Sequence, residues 1–164
     1  MILVITGTSP HGFERLIKEI DRIAGEMDEE IVVQIGYSSY RPKNIRYYFK
    51  FTSDEEIKRL YNNARIIVCH AGVGSIITAL KNNKPIIVVP RRKKYNEHFD
   101  DHQIELAKEL EREGISVVYE VENLRSEIKN VSGGSMIFKS ERDNLITELR
   151  NYLNQVEQNL RYEK

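Results

Sequence analysis

The 164-residue sequence contains one cysteine, Cys69, and no tryptophan. A single cysteine cannot form an internal disulfide, and the first residues, MILVITGT, contain neither the basic region nor the long apolar stretch of a secretory signal. No local feature indicates a reactive thiol, so we expect Cys69 to be a small buried strand residue. The sequence therefore predicts a cytoplasmic protein.

Long apolar runs and an excess of charge of one sign are also missing. No run approaches the roughly 18 to 20 apolar residues of a membrane span, so we expect any membrane role to depend on a partner. Lysine and arginine together number 25, as do aspartate and glutamate. Because the net charge is zero, nothing favours a nucleic acid as the partner, and any anion site must be local.

Short runs rich in Ile and Val alternate with longer amphipathic stretches, which is typical of an α/β protein with helices on both faces of a sheet. Several runs are apolar at consecutive positions, as in strands that are buried on both sides. We predict a Rossmann-like three-layer sandwich with a mostly parallel sheet of about six strands and a C-terminal helical tail. The predicted strands are Ile2 to Thr6, Ile31 to Gly36, Ile45 to Phe51, Arg65 to His70, Pro85 to Pro90 and Ile115 to Glu120.

Helices are predicted between these strands, from apolar residues at helical spacing, N-cap residues and terminal glycines. They cover Phe13 to Gly25, Ser53 to Ala64, Gly72 to Asn83, His98 to Gly114 and Val121 to Asn130. One connection does not fit, because only eight residues separate Gly36 from Ile45 and a parallel crossover usually needs a dozen or more. Either the third strand is antiparallel, or its crossover has shortened to a loop.

We predict one Rossmann-like domain over residues 1–131 and a C-terminal region over residues 132–164 that belongs to the same domain or binds a partner. The second region contains a glycine joint, Ser132 to Ser135, and a long helix from about Ser140 with apolar residues at helical spacing. That apolar face either packs on the domain or is available to another subunit.

The segment HAGVGS, His70 to Ser75, follows a predicted buried strand and opens a predicted helix. We call it the glycine turn. Glycines let the backbone approach a ligand closely, and the N–H groups at a helix start favour a phosphate. Neither the G-x-x-x-x-G-K-[ST] nor the G-x-G-x-x-G pattern is present, since Ile77 occupies the third glycine position. A turn that merely redirects the chain, with His70 hydrogen-bonded in the core, remains the alternative.

Further polar clusters follow other predicted strands: TGTSPHG after the first, GYSS after the second, and PRRKKYNEHFDDHQ after the fifth. Ligands of open α/β sheets bind outside the carboxyl ends of the strands, so we expect these loops to form one site. The run Arg91 to Lys94 is alternatively a solvated loop. His98 and His102 are four residues apart, but no further ligand motif accompanies them, and we predict no metal site and no cofactor.

Three segments, TGTSPHGFERLI, CHAGVGSIITALKNNKPIIVVPR and NEHFDDHQIELAKEL, together resemble a family. The chain is similar to the small donor-binding subunits of two-component glycosyltransferases, which include the cytosolic subunit of the dolichol-pathway N-acetylglucosaminyltransferase and the PssE/EpsE-like exopolysaccharide proteins. The resemblance implies the fold of the C-terminal half of GT-B glycosyltransferases. It also implies a UDP-sugar donor, a membrane-anchored acceptor-binding subunit that recruits the chain to the cytoplasmic face of the membrane, and a lipid-linked glycan acceptor.

The resemblance implies inverting transfer, in which backbone amides and a helix start stabilise the departing diphosphate. The glycine turn would hold the diphosphate, the loop after the first strand would close over it, and residues 101–103 would reach the sugar. The general base would come from the partner, with His102 and His11 in reserve. The implied substrate-binding residues are Gly7, Thr8, Ser9, Gly36, Phe51, His70, Gly72, Val73, Gly74, Ser75, Thr78, Arg91, Asp101, His102 and Gln103.

Two departures from the family pattern affect specificity. Thr78 stands where many relatives carry a glutamate that binds the ribose, and a hydroxyl cannot provide the same bidentate contact. DDHQ, Asp100 to Gln103, is nearer to the exopolysaccharide branch than the DNHQ of the dolichol-pathway subunit, so the donor sugar stays open. The alternatives to a catalytic subunit are a Rossmann-type nucleotide-binding module and a non-catalytic interaction subunit.

Overall fold

The computed structural model describes residues 1–131 and 139–162, together with their side chains except those of 139–141 and 156–162. The strands are β1 (Ile2–Ile5), β2 (Ile31–Gln34), β3 (Tyr47–Phe49), β4 (Ile66–His70), β5 (Ile86–Val89) and β6 (Ser116–Val117). The helices are α1 (Glu14–Ala24), α2 (Asp54–Asn63), α3 (Val73–Lys81), α4 (His102–Arg112), α5 (Leu124–Val131) and α6 (Lys139–Tyr162). Single 3-10 turns lie at Lys93–Tyr95 and Val121–Asn123. The predicted joint at Ser132 to Ser135 lies outside the described residues.

The strands form one parallel sheet in the order β3-β2-β1-β4-β5-β6. In the centre, Val4 of β1 is level with Val33 of β2 and Val68 of β4. All three side chains are fully or almost fully buried, because helices cover both faces of the sheet. This arrangement confirms the predicted Rossmann-like three-layer fold.

The helices divide between the two faces of the sheet. Apolar residues of α1 and α5 pack on one face, and those of α2, α3, α4 and α6 pack on the other. In α6, Leu145, Ile146 and Leu149 are buried against this second face. The first half of the last helix therefore packs on the domain. None of the helices within the described ranges has the length and apolarity that crossing a bilayer requires.

The third strand, β3, pairs in parallel with β2, so the crossover between them has shortened to a loop. This loop is held by Asp21, a residue of α1 that is 2% exposed. The Asp21 carboxylate accepts hydrogen bonds from the backbone N–H groups of Lys43, Asn44 and Ile45 at 2.7 to 3.1 Å, and from the Tyr40 hydroxyl at 2.8 Å. One buried carboxylate thus fixes this crossover loop through hydrogen bonds, whereas apolar packing fixes the helical crossovers.

Replacing Asp21 by asparagine should lower the free energy of unfolding by on the order of 2 to 3 kcal/mol, because buried donors lose a charged acceptor. Burial opposes ionisation of Asp21, but the N–H groups of Lys43 and Asn44 and the Tyr40 hydroxyl outweigh it and lower the pKa. Since the folded pKa lies below the unfolded one, the stabilisation is present above about pH 4 and is lost as the pH falls through the folded value. Urea unfolding at pH 7 and pH 3 measures this, and an equal wild-type advantage at both values would contradict it.

Several element boundaries differ from the sequence-based prediction: the third strand shortens to Tyr47–Phe49, α5 begins at Leu124 after a 3-10 turn, and α4 and β6 also change. Helix α4 begins at His102, four residues later than predicted, because Asp100 accepts a hydrogen bond from the His102 N–H at 3.1 Å and interacts with the His98 ring at 2.9 Å. These local bonds hold residues 98–101 in a turn. The sixth strand shortens to two residues, since it lies at the edge of the sheet and pairs with β5 alone. Gly114, at a φ of +80°, ends α4 as predicted.

Candidate functional site

Loops after four strands meet at the carboxyl edge of the sheet. Gly7 follows β1, Gly36 follows β2, the glycine turn follows β4, and Arg91 follows β5. They touch one another: a Cβ on Gly36 would lie 3.0 Å from the Gly7 carbonyl oxygen, and a Cβ on Gly7 would lie 2.5 Å from the His70 ring. The expected convergence of these loops therefore occurs, at the edge where open α/β sheets bind ligands.

The start of α3 provides the anion-binding geometry. Val73 and Gly74 are its first two residues, and their N–H groups have no carbonyl of the preceding turn to bind, whereas the Ser75 N–H reaches the Gly72 carbonyl at 3.1 Å. Gly74 is exposed, and a Cβ placed on it would meet no atom within 4 Å. The Val73 side chain is buried, so only its backbone can contact a ligand. Open space therefore lies beside Gly74, next to the first N–H groups of α3 and the positive end of a helix dipole.

His70 lies behind this turn, between the two glycine loops. A Cβ on Gly72 would lie 2.0 Å from its Nε2 atom, which shows how closely the imidazole packs against the turn. Burial, together with the positive charge of Arg91, lowers the pKa of His70 to about 4. The ring is therefore neutral near pH 7 and adds no charge to the site. Its Nδ1 atom is buried without a hydrogen-bond partner in the described residues.

The loop after β1 is fixed by a polar residue that the sequence reading did not single out. Gln34, at the end of β2, accepts a hydrogen bond from the Gly7 N–H through its Oε1 atom at 3.3 Å. Its carbonyl accepts another from the Thr6 hydroxyl at 2.8 Å. Gly7 has a φ of +79°, which glycine adopts without strain. Beyond it, Thr8 is exposed and Ser9 is half-buried, so their hydroxyls border the open edge.

The Arg91 side chain does not face the open edge, as a ligand-binding residue would. It is 1% exposed, and its terminal nitrogens donate to the carbonyl oxygens of His11, Gly12 and Glu97 at 3.0 Å and of Thr6 at 2.7 Å. The guanidinium also lies 4.6 Å from the centre of the Phe13 ring. Arg91 thus joins the loop after β1 to the loop after β5, and its side chain faces the interior instead of a ligand.

The residues expected to reach the sugar lie at the start of α4. Asp101 accepts a hydrogen bond from the Lys93 N–H at 2.9 Å, and Gln103 accepts one from the Arg91 N–H at 3.1 Å, so both order the preceding loop. His102 is exposed and contacts Glu105 at 3.2 Å. The bond to Glu105, followed by the charge of Asp100, raises the pKa of His102. Of the residues predicted to act as a general base, His102 is therefore the accessible one.

The other reserve base, His11, lies in the loop after β1. Its ring packs edge-on against Phe99 with the ring centres 4.4 Å apart, and its Nε2 atom is buried without a hydrogen-bond partner in the described residues. His11 is half-buried and Phe99 is exposed. The loops after β1 and β5 thus meet through these two rings at the rim of the site.

On the β2–β3 side the edge carries two exposed aromatic rings. Phe51 is 45% exposed, and the Tyr37 ring lies 5.2 Å from it in an edge arrangement. Tyr37 directly follows Gly36, and a large aromatic residue after a glycine in a polar loop is the signal that could have identified it.

Thr78 lies in α3, where its hydroxyl donates to the Gly74 carbonyl at 2.8 Å. Within the described ranges, no three His, Cys, Asp or Glu residues are placed to hold a metal ion.

The family model described as the glycosyltransferase family 28 C-terminal domain matches residues 1–157 of the chain. The chain belongs to this family. Among individual proteins, it is similar to subunits named "UDP-N-acetylglucosamine transferase subunit ALG13". The one from Mus musculus is 36% identical over 89 residues, which cover 51% of this chain and 7% of the relative. The one from Cryptococcus neoformans is 33% identical over 111 residues, covering 66% and 46%. The family 28 chain therefore spans less than half the length of each of these two relatives.

Solved structures show the same fold. The crystal structure of the glycotransferase of kitacinnamycin superposes on the family 28 chain with a TM-score of 0.61. The superposition covers 96% of this chain and 43% of that one, at 17% sequence identity. The similarity is one of fold alone.

Proposed function

We propose that the chain is the donor-binding catalytic subunit of an inverting glycosyltransferase. It transfers a sugar from a UDP-sugar to a lipid-linked acceptor, together with a membrane-anchored, acceptor-binding subunit at the cytoplasmic face of the membrane. Membership of family 28 and the names of the curated relatives support a UDP-sugar as the donor. The word "subunit" in those names supports a split enzyme.

The observation that carries the proposal is the open space beside Gly74 at the start of α3, where Val73 and Gly74 present the first N–H groups of the helix. A diphosphate placed there accepts hydrogen bonds from both N–H groups and gains from the helix dipole. Thr8 and Ser9 lie across the edge with hydroxyls that can donate to the same phosphates. The exposed rings of Tyr37 and Phe51 suit the uracil base, and the start of α4 suits the sugar.

In this arrangement the chain acts mainly on the leaving group. When the acceptor hydroxyl attacks C1 of the sugar, the bond between C1 and the diphosphate oxygen breaks, and negative charge grows on the diphosphate. N–H groups that already point at that position stabilise the charge without reorganising. The acceptor proton goes to a base of the partner, or to His102, which is exposed at the start of α4.

A nucleotide titration of the purified chain tests the donor class. UDP should raise the free energy of unfolding by about 2.7 kcal/mol at a hundredfold excess over its dissociation constant, seen as a higher melting temperature. NAD, which tests the alternative of a nucleotide-binding module, should have little effect. Stronger stabilisation by NAD than by UDP would refute the proposal.

A transfer assay tests the division into subunits. The chain should transfer sugar to a lipid-linked acceptor only when it is co-expressed with its membrane-anchored partner subunit. Because the relatives are named for UDP-N-acetylglucosamine, that donor comes first in a panel with UDP-glucose and UDP-galactose. Full activity of the isolated chain would contradict the split enzyme, and an inactive complex that binds UDP would support a non-catalytic subunit.

A further inference from the structure

The peptide unit between Thr6 and Gly7 is held at both of its polar groups by buried side chains. Its carbonyl oxygen accepts a hydrogen bond from the Arg91 guanidinium at 2.7 Å, and its N–H donates to the Gln34 Oε1 atom at 3.3 Å. Arg91 follows β5 and Gln34 ends β2, which lie on opposite sides of β1 in the sheet. Side chains from two other strands thus fix one peptide plane at the end of β1.

The chemistry of the two side chains allows one orientation of this plane. A guanidinium only donates hydrogen bonds, so Arg91 requires the carbonyl oxygen on its own side. The N–H then lies on the opposite side, where it needs an acceptor because it is buried. A carboxamide has one oxygen that accepts and one nitrogen that donates, so Gln34 must turn its oxygen towards Gly7. Arg91 therefore sets the direction of the plane, and Gln34 supplies the acceptor.

The backbone alone does not fix this orientation. Gly7 has a φ of +79°, and glycine populates positive and negative φ about equally, so the peptide unit before it can turn over without a steric penalty at Gly7. A larger residue would restrict this motion, but a Cβ at position 7 would lie 2.5 Å from the His70 ring. Close packing against His70 thus requires a glycine, and side chains outside the loop must hold the peptide plane.

The orientation of this plane determines the course of the residues that follow it. Thr8 and Ser9 come directly after Gly7 and border the open edge of the sheet. The Ser9 hydroxyl accepts a hydrogen bond from the His11 N–H at 3.3 Å. A hydroxyl that accepts one bond can still donate its own proton, so Ser9 remains able to donate to a phosphate. If the Thr6–Gly7 peptide turned over, the backbone of both residues would take a different path.

We propose that Gln34 is a positioning residue of the donor site: by accepting the Gly7 N–H, it holds the loop Gly7 to Ser9 in the conformation that receives the phosphates of the nucleotide. This inference rests on the proposed function. Gln34 acts through the loop and does not itself bind the ligand. Its contribution should therefore appear in the affinity for a nucleotide that carries phosphates, and not in the affinity for the nucleoside.

The test compares UDP, titrated by calorimetry, with uridine, titrated by NMR at millimolar concentration, on the purified chain. Gln34→Met keeps the length of the side chain but removes the acceptor of the Gly7 N–H. It should bind UDP about tenfold more weakly than the wild type and uridine equally well. An unfolded fraction of the variant would lower both affinities by the same factor. The difference between the two ligands therefore measures the positioning of the loop.

Thr6→Val is the matched control. The Thr6 hydroxyl donates to the Gln34 carbonyl oxygen at 2.8 Å, so this bond joins the same two strand ends as the bond between Gln34 and Gly7. Valine removes it and leaves the Gln34 side chain in contact with Gly7. Thr6→Val should lower the melting temperature about as much as Gln34→Met, because each variant loses one buried hydrogen bond, and should keep the wild-type affinity for UDP.

Hydrogen exchange of the Gly7 amide, followed by NMR, tests the bond itself without a ligand. The amide should be protected in the wild type and in Thr6→Val, and it should exchange about tenfold faster in Gln34→Met. An unprotected Gly7 amide in the wild type would overturn the role of Gln34 even if Gln34→Met failed to fold.

The outcomes separate this inference from the proposed function. A wild type that binds no UDP refutes the proposed function, and the role of Gln34 in it falls too. A wild type that binds UDP while Gln34→Met binds it as tightly overturns only the role of Gln34. The same holds if Gln34→Met weakens UDP and uridine by the same factor, or if Thr6→Val weakens UDP as strongly as Gln34→Met does.

Discussion

Gly74→Leu should abolish binding of UDP, with a loss of at least about a hundredfold, while the protein stays folded. A Cβ at this position meets no atom within 4 Å, and the residue lies in the first turn of α3, so a side chain fits without strain. Leucine is also about 0.8 kcal/mol more favourable than glycine within a helix. The new side chain, however, fills the volume in front of the free N–H groups, which is where the diphosphate should lie.

The measurement pairs a UDP titration with thermal unfolding. Lys81→Leu places the same side chain at the exposed far end of the same helix and should leave UDP affinity unchanged. Gly74→Ala should give an intermediate loss of affinity with an equal or higher melting temperature. If Gly74→Leu kept its full affinity for UDP, the nucleotide would not bind at the start of α3. The proposed function would then lose its main support.

Arg91→Met should have the largest effect on stability, a loss of about 3 to 5 kcal/mol in the free energy of unfolding. Methionine keeps much of the apolar stem but leaves the carbonyl oxygens of Thr6, His11 and Glu97 without donors at a buried junction. Since a domain of this kind has only about 5 to 15 kcal/mol in total, this loss is a large part of it.

Chemical denaturation monitored by circular dichroism measures the effect. Arg92→Met is the control, because the Arg92 side chain is also largely buried but forms one ion pair, with the half-exposed Glu120, and its loss should cost less than that of Arg91. If Arg91→Met and Arg92→Met were equally stable while UDP affinity fell only in Arg91→Met, Arg91 would be a ligand-binding residue after all, as its position after β5 first indicated.

The fold follows from the sequence because its signals are local and repeated. Runs such as IIVC and IIVV are apolar on both faces of a strand, and the structure confirms the sheet of buried parallel strands that they predict. The β2–β3 crossover was not predictable in the same way. Its loop is held by hydrogen bonds to Asp21, which lies on the buried side of α1 in a sequence that is typical of an ordinary amphipathic helix.

The site is predictable to the level of its loops but not to the level of its side chains. The glycine turn leads into a helix start at the carboxyl edge, as its spacing indicates. Spacing does not tell whether an arginine points outwards or inwards, and Arg91 points inwards because four carbonyl oxygens converge there. Nor does it reveal Gln34, whose contact with Gly7 joins residues that are 27 positions apart in the chain.

The His70 ring occupies the space that side chains on Gly7 and Gly72 would need, within 2.5 and 2.0 Å respectively. The three positions therefore share one volume, although they belong to loops after different strands. In evolution neither glycine can acquire a side chain unless residue 70 first becomes smaller, so we expect these positions to covary across homologous sequences. A homologue with alanine at position 72 should carry a residue smaller than histidine at position 70, and its two loops would then be free to diverge.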